Sequence, residues 1–193
     1  HGKTDEALDL LQESGKTSET EPGLATAATL TWLLWRSGSE DSAAWIEKSM
    51  AQMPSNPNTW EKGIQAILYD FIEDWQEALN AYQAINQPIG VGLATLHLGD
   101  QNLQANNATQ ALQRYQAAAE VFEKVAAGEP EPGLALAQYR QAEAYWRMND
   151  NEAARVSLND AQKYMQACQT SISDEGLKLV VNGLKMISEE NKQ

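Results

Sequence analysis

The sequence is poor in the residues that most often carry catalysis, metal binding and covalent cross-links. It contains one cysteine, Cys168, and two histidines, one of which is the first residue of the chain. A single cysteine forms no intrachain disulfide, and His97 has no second histidine or cysteine partner with which to bind zinc. The pairing of His97 with Asp100, three residues later, is typical of a helix surface rather than of a catalytic site. We therefore expect no enzyme activity, no metal and no cofactor.

Basic residues are also scarce. Lysine and arginine number 14 against 27 aspartates and glutamates, the formal net charge is −13, and the stretch between Lys62 and Arg114 contains neither basic residue. Nucleic-acid binding needs clustered lysine and arginine, and the same negative charge repels anionic lipid. We expect no nucleic-acid partner. A protein or peptide partner that touches this stretch is expected to be neutral or basic.

Long apolar runs are missing as well. No run approaches the roughly 18 residues of a membrane span, and the start of the chain lacks the charged, apolar and small-residue order of a secretory signal. We expect a soluble protein without direct membrane insertion. The single cysteine fits a reducing compartment, so the cytoplasm is slightly favoured over the periplasm.

Residues that favour strands or break helices are few. The chain has six prolines and two phenylalanines, whereas alanine, glutamine, glutamate and leucine are abundant. These four residues have high or good helix propensity, and the β-branched alternation typical of strands is nearly absent. The predicted fold class is all-α.

An alanine recurs along the chain, each time after a short polar turn and before an apolar helical stripe. The steps between successive copies are 36, 35, 33 and 43 residues. A period in the thirties with two helical stripes is typical of a solenoid of helical hairpins. One hairpin cannot bury its own apolar face, so neighbours must stack to form a continuous core. The repeated alanines are Ala7, Ala43, Ala78, Ala111 and Ala154.

Two further matches support this register. The segment 21–25 recurs at 131–135, each time before a first helix. The pair Trp35-Arg36 recurs as Trp146-Arg147, each time eight residues before the repeated alanine. The register predicts a single domain, 1–193, with a partial repeat at 1–14, hairpins at about 24–53, 60–85, 92–127 and 134–168, and a capping helix at about 173–189.

This pattern resembles that of the tetratricopeptide repeat (TPR) family. The resemblance implies a right-handed α-solenoid in which small residues let two helices approach to about 8–10 Å. Gly99 would then face Ala111, and Ala142 would face Ala154. The residues that fall on the family's consensus are Leu98, Gly99, Ala111, Tyr115 and Ala118 in one hairpin, and Ala142, Tyr145, Ala154, Leu158 and Ala161 in the next.

Members of this family usually bind partners in a concave groove lined by the first helix of each hairpin. Aromatic and arginine side chains are favoured at binding surfaces because they bury a large area with few rotatable bonds. The resemblance therefore implies a set of groove candidates. They are Trp32, Trp35, Arg36, Leu96, His97, Asp100, Leu103, Tyr139, Arg140, Glu143, Trp146 and Arg147.

Each tryptophan has a second interpretation, since tryptophans also pack between hairpins. Trp32 and Trp35 lie on a helix whose core side is already supplied by Ala27, Leu30 and Leu34, which favours at least one exposed ring. Some family members hold a chaperone's carboxylate with lysine and asparagine on first helices. The corresponding positions here are mostly other residue types, so that docking role is disfavoured.

The predicted function is a protein- or peptide-binding adaptor or scaffold that belongs to a larger protein or complex. Two alternatives remain open: a self-association module, and the regulatory solenoid of a larger enzyme. Residues 4–13 carry an apolar stripe without a hairpin partner. A solenoid end of this kind exposes an unusual apolar patch, so we expect this segment either to form a homodimer or to fray.

Overall fold

The computed structural model describes residues 24–168, and within them every regular element is an α-helix. The predicted all-α class is confirmed for this part of the chain. The predicted partial repeat at 1–14, its dimer contact at 4–13 and the capping helix at 173–189 lie outside the described residues. In chain order the helices are α1 Leu24–Ser37, α2 Ser42–Ala51, α3 Thr59–Phe71, α4 Trp75–Ala84, α5 Pro88–Gln104, α6 Ala108–Ala126, α7 Pro132–Arg147 and α8 Asn151–Cys168.

The helices begin close to their predicted positions, except at two prolines. The hairpins predicted to start at 92 and 134 start at Pro88 and Pro132. A proline suits the first helical position, because its fixed φ matches the helix and its missing N–H would have no partner there. The segment 87–90, which reads as a loop in the sequence, therefore supplies most of the first turn of α5.

Contacts between helices divide the chain into two compact units, with the boundary between Asn86 and Gln87. In the first unit α1 pairs with α2 and α3 with α4, and α3 also contacts α1 and α2. The second unit has the same pattern, since α5 pairs with α6 and α7 with α8, and α7 also contacts α5 and α6. Each unit thus contains two helical hairpins whose first helices touch. That contact brings side chains of two first helices to one surface.

Three of the hairpins close with the same three-residue turn, at 72–74, 105–107 and 148–150. The middle residue is left-handed in each, with φ of 59°, 59° and 61° for Glu73, Asn106 and Asn149. The third residue donates its N–H to the carbonyl five residues back, which satisfies an acceptor at the helix end. Its side chain also caps the next helix: Asp74, Asn107 and Asp150 accept from the N–H groups of Glu77, Gln110 and Ala153.

The α1–α2 hairpin departs from the repeat register. Its left-handed residue is Gly38, with φ of 70°, but residues 40–41 are inserted before α2 begins. The insertion turns a different side of α2 toward α1. Ile46 and Ser49 are buried, whereas the repeated alanine of this hairpin, Ala43, is exposed. The register predicted from the alanines therefore does not describe how α2 packs.

A buried polar contact joins α1 to α2. Thr31 Oγ1 lies 2.8 Å from the carbonyl oxygen of Ala27, 3.0 Å from that of Trp45 and 3.0 Å from Ser49 Oγ. Thr31 and Ser49 are both fully buried. Each hydroxyl thus has a partner, as burial of a polar group requires. The predicted core residues of α1 are buried as well: Ala27, Leu30 and Leu34.

Two aromatic rings of α6 form the centre of the second unit. Tyr115 and Phe122 lie seven residues apart, two turns along one face, and both are fully buried. The partner helix α5 carries two glycines with the same spacing. A methyl group on Gly99 would come within 3.0 Å of the Tyr115 ring, and one on Gly92 within 3.0 Å of the Phe122 ring. Each glycine therefore makes room for one ring.

A third glycine completes this packing from α7. Gly133 approaches the Phe122 ring as closely as the α5 glycine does, so the ring is held between two helices. The nearest side chain to Gly99 is the Tyr115 ring, not Ala111 as predicted, because the ring fills the space beside the glycine. Of the other predicted close-packing alanines, Ala111 and Ala142 are buried and Ala154 is partly exposed.

Candidate functional site

The three tryptophans predicted for the binding surface lie on first helices and are exposed. Trp32 and Trp35 on α1 are 42% and 50% exposed, and Trp146 on α7 is 57% exposed. So large an aromatic area in contact with water is unfavourable unless a partner covers it. All three side chains are therefore partly open to solvent, although Trp35 also packs against a ring of the neighbouring hairpin.

Predicted residues of α5 and α7 meet in a polar cluster around Asp100. Arg140 Nε lies 3.1 Å from Asp100 Oδ1, and its Nη2 lies 3.4 Å from Oδ2. The phenol of Tyr115 donates to Oδ1 at 2.8 Å, and His97 Nδ1 is 3.6 Å from Oδ2. Both oxygens of Asp100 are thus engaged. The cluster connects the first helices of two hairpins in the second unit.

Arg140 lies between two carboxylates in this cluster. Besides Asp100 it pairs with Glu143, whose Oε2 is 3.0 Å from Nη1. Burial by itself lowers the pKa of Arg140, but the two carboxylates outweigh burial and the pKa is raised. The guanidinium also lies over the Tyr139 ring, 5.9 Å from its centroid. Four predicted site residues from α5 and α7 are therefore in mutual contact through one arginine.

The phenols of the cluster are weak acids. Burial raises the pKa of Tyr115, and the hydrogen bond to Asp100 raises it further. Burial also raises the pKa of Tyr139, and Glu143 adds to the effect. Both phenols stay protonated at neutral pH, and an arginine does not release its proton there. The carboxylates of Asp100 and Glu143, the Arg140 guanidinium and the Tyr115 hydroxyl are thus paired with one another inside the cluster.

The first unit carries an apolar surface on which three of four side chains are aromatic. We call it the aromatic surface, and it consists of Trp32, Trp35, Ile67 and Phe71. The rings of Trp35 and Phe71 are stacked, with centroids 4.7 Å apart and planes inclined by 21°. The stack connects α1 to α3, the first helices of two hairpins. Ile67, one turn before Phe71, is 43% exposed. The surface is therefore apolar and open to solvent.

Sequence analysis missed Phe71 and Ile67 as surface residues and the hydroxyl of Tyr115 as a partner of Asp100. The repeat register does contain a signal for Phe71, since it takes the place that Arg36 and Arg147 take in their hairpins. No such signal exists for the Tyr115 hydroxyl, because its contact crosses from α6 to α5. The side chain of Arg36 lies outside the described part of the structure.

The other candidates separate into exposed and buried residues. Arg147 lies over the Trp146 ring, with Cζ 6.0 Å from the centroid. Leu96 and Leu103 are only 2% and 7% exposed and belong to the core of the second unit. Their prediction as groove residues is therefore wrong. Both lie on the same side of α5 as the two glycines that face α6, which explains their burial.

Neither a metal site nor a membrane span is found in residues 24–168. No group of three or more histidine, cysteine, aspartate or glutamate side chains could hold a metal ion there, and no helix is long and apolar enough to cross a membrane. Cys168 is buried, and burial together with Glu131 raises the pKa of its thiol. A raised pKa disfavours the reactive thiolate form.

No model of a known protein family matches this chain, and no curated protein matches its sequence significantly. The family resemblance stays a prediction from the sequence pattern. The function is therefore inferred from the polar cluster, the aromatic surface and the exposed Trp146.

Proposed function

We propose that the chain is a protein- or peptide-binding adaptor, built as a right-handed solenoid of TPR-like hairpins and belonging to a larger protein or complex. The observation that carries this proposal is the exposure of Trp32, Trp35 and Trp146 on first helices. Tryptophan and arginine are the residues that most often dominate the binding energy of protein interfaces. Trp35 in the first unit and Arg140 in the second lie where side chains of two first helices meet.

The helix contacts within each unit support the proposed architecture. The helices α1 and α3 touch, as do α5 and α7, which is what stacked hairpins require. The shared three-residue turn gives three hairpins the same closure. In a solenoid of this kind the first helices line one side of the stack, and that side would form the binding groove.

The charge of the chain indicates the kind of partner. The formal net charge is −13, and no lysine or arginine lies between Lys62 and Arg114. In the polar cluster two carboxylates share Arg140, so the cluster itself is not a basic site. A basic partner surface would be attracted, a neutral one would be neither attracted nor repelled, and an acidic one would be repelled.

The double variant Trp35→Ala/Trp146→Ala tests the proposed function. Tagged protein is used to isolate partners from cell extract, and the captured proteins are compared by quantitative mass spectrometry. We expect the double variant to lose the partners that the parent protein captures and to keep its far-UV circular dichroism, because both rings are at least half exposed.

Trp60→Ala is the matched control for this experiment. Trp60 is 58% exposed but lies at the start of α3, outside the aromatic surface. Loss of the same partners by Trp60→Ala, or unchanged capture by the double variant, contradicts the proposal. Collapse of helicity in the double variant would mean that the two rings stabilise the fold rather than the complex.

A further inference from the structure

We propose that the stacked pair of Trp35 and Phe71 binds an arginine side chain from a basic segment of a partner protein. This inference rests on the proposed binding function and names the chemistry recognised at one site. Trp35 packs against Phe71 and still remains 50% exposed, so ring surface stays open to a ligand. A guanidinium is planar and weakly hydrated, and it stacks on such a ring through cation–π attraction.

The pair lies where two helices end. Trp35 is in the last turn of α1, which ends at Ser37, and Phe71 is the last residue of α3. The C-terminus of a helix carries a partial negative charge of about half an elementary charge. The stack, with ring centroids 4.7 Å apart, thus joins side chains from the last turns of both helices. The partial negative charge of each helix end favours a cation near its own ring.

Most of the charged residues next to the pair have the complementary sign, although Arg36 follows Trp35. Asp70 precedes Phe71, and Glu73 and Asp74 follow it in the turn to α4. Asp70 accepts a hydrogen bond from Tyr82, which holds its carboxylate at the end of α3. Residues 24–86 contain eight aspartates and glutamates against three lysines and arginines. A basic segment is therefore favoured over an acidic or a neutral one.

The same contact chemistry occurs within the chain itself. Lys48 Nζ lies 4.9 Å from the centroid of the Trp45 ring, and in α7 two arginines lie 5.9 and 6.0 Å from aromatic centroids. In each of these pairs the cation and the ring are neighbours on one helix. The Trp35–Phe71 stack combines rings from two helices, and this wider surface suits a cation supplied by another molecule.

Further apolar surface lies beside the stack. Trp32 is one turn before Trp35 on α1, and Ile67 is one turn before Phe71 on α3, and both are exposed. An apolar side chain that neighbours the arginine in the partner would lie against this part of the aromatic surface. The preferred segment therefore combines arginine with leucine or a similar residue.

Titration with two synthetic peptides tests the site. The first is an acetylated, amidated heptapeptide that contains two arginines and two leucines among glycines. The second replaces both arginines by citrulline, which keeps the planar end group and removes its charge. We expect the arginine peptide to shift the indole N–H signal of Trp35 in nitrogen–proton correlation spectra, and the citrulline peptide to bind about tenfold more weakly. Added salt should weaken binding of the arginine peptide alone.

Three variants locate the binding. Trp35→Leu keeps an apolar contact with Phe71 and removes the aromatic ring. This variant should bind the arginine peptide about tenfold more weakly. Asp70→Asn removes the negative charge and leaves an oxygen that can accept from Tyr82, so the fold should be kept. This variant should bind the arginine peptide several-fold more weakly. Trp60→Leu is the matched control and should leave the affinity unchanged, since that exposed ring lies at the start of α3, outside the aromatic surface.

Several results would overturn the arginine site. The first is equal affinity for the two peptides. The second is an affinity for the arginine peptide that neither Trp35→Leu nor Asp70→Asn changes. The third is a Trp35 indole signal that does not shift at millimolar concentrations of the arginine peptide. If the Trp35→Leu variant does not fold, the affinity of the Asp70→Asn variant for the arginine peptide decides the question by itself. The adaptor function fails separately, because it depends on whether the Trp35→Ala/Trp146→Ala variant loses its captured partners.

Discussion

The position of Phe122 depends on glycines from the helices on either side of it. Its fully buried ring lies against Gly92 of α5 and Gly133 of α7. Close-packed interiors have no room for an added methyl group where a ring already touches a helix backbone. Gly92, Gly99 and Gly133 therefore have a packing function, and the Gly90-Val91-Gly92 segment is part of α5.

Replacing Gly133 by alanine is expected to destabilise the protein by about 1–3 kcal/mol. The added methyl group would lie within 3.0 Å of the Phe122 ring, and the ring cannot move away because it is also in contact with α5. The effect of the clash exceeds the better helix propensity of alanine, which is worth at most about 1 kcal/mol. Urea unfolding followed by circular dichroism measures the change.

Gly63→Ala is the matched control for this substitution. A methyl group at Gly63 meets only Ile85 Cδ1, at 3.9 Å, so this variant should be as stable as the parent protein or slightly more stable. In a Phe122→Leu background, Gly133→Ala should cost less than in the parent, because the smaller side chain leaves space. Equal stability of the two alanine variants would show that the glycine at 133 does not make room for the ring.

At the scale of the elements, the shared turn decides how three hairpins close. Its middle position is left-handed, a conformation that asparagine tolerates and glutamate adopts only at a cost. Asn106 and Asn149 occupy it in the second unit, but Glu73 occupies it between α3 and α4. The first of these turns is therefore strained at one residue.

Glu73→Gly should stabilise the protein by up to about 1 kcal/mol, because glycine has no Cβ to oppose the left-handed conformation. Asn149→Gly is the comparison, and its effect should be smaller because asparagine already accepts this backbone geometry. Thermal melts of the two variants and the parent measure the difference. An Asn149→Gly gain that equals or exceeds the Glu73→Gly gain would argue against strain at Glu73.

At the scale of the whole molecule, each unit has one tyrosine–aspartate hydrogen bond within residues 24–168. Tyr82 donates to Asp70 between α4 and α3, and Tyr115 donates to Asp100 between α6 and α5. Burial raises the pKa of both phenols in the folded protein, and the hydrogen bond to the carboxylate raises it further. The unfolded chain therefore loses these protons first. The contribution to stability is complete below the ordinary tyrosine pKa of about 10 and falls as the pH rises above it.

The double variant Tyr82→Phe/Tyr115→Phe tests this pH dependence. It should be less stable than the parent at neutral pH by about 1 kcal/mol for each lost hydrogen bond. The difference in unfolding free energy should shrink as the pH rises above about 10. Urea unfolding at a series of pH values measures it, and Tyr164→Phe, which changes an exposed tyrosine of α8, is the control. A difference that stays constant with pH would contradict this assignment.

Local information in the sequence was sufficient for the helices and for the register of most hairpins. Helix propensity, apolar periodicity and turn residues act over a few turns of chain, so they indicate where helices lie and which positions share a face. That periodicity indicates that Trp35, Trp146 and Arg140 lie on first helices, but it left open whether each tryptophan is exposed or packs between hairpins. The same reasoning failed at α2, because the insertion at 40–41 changes the face that is buried without changing the pattern of residues.

Only the tertiary structure decided which side chains meet across helices. The sequence contains Asp100 and Arg140, but their contact joins residues 40 positions apart in the chain. The stack of Trp35 on Phe71 likewise depends on how α1 lies against α3. Periodicity determines the face on which a residue lies, because it is a property of one helix. The partner of that residue depends on the distance and angle between helices, which are set by packing across the whole unit.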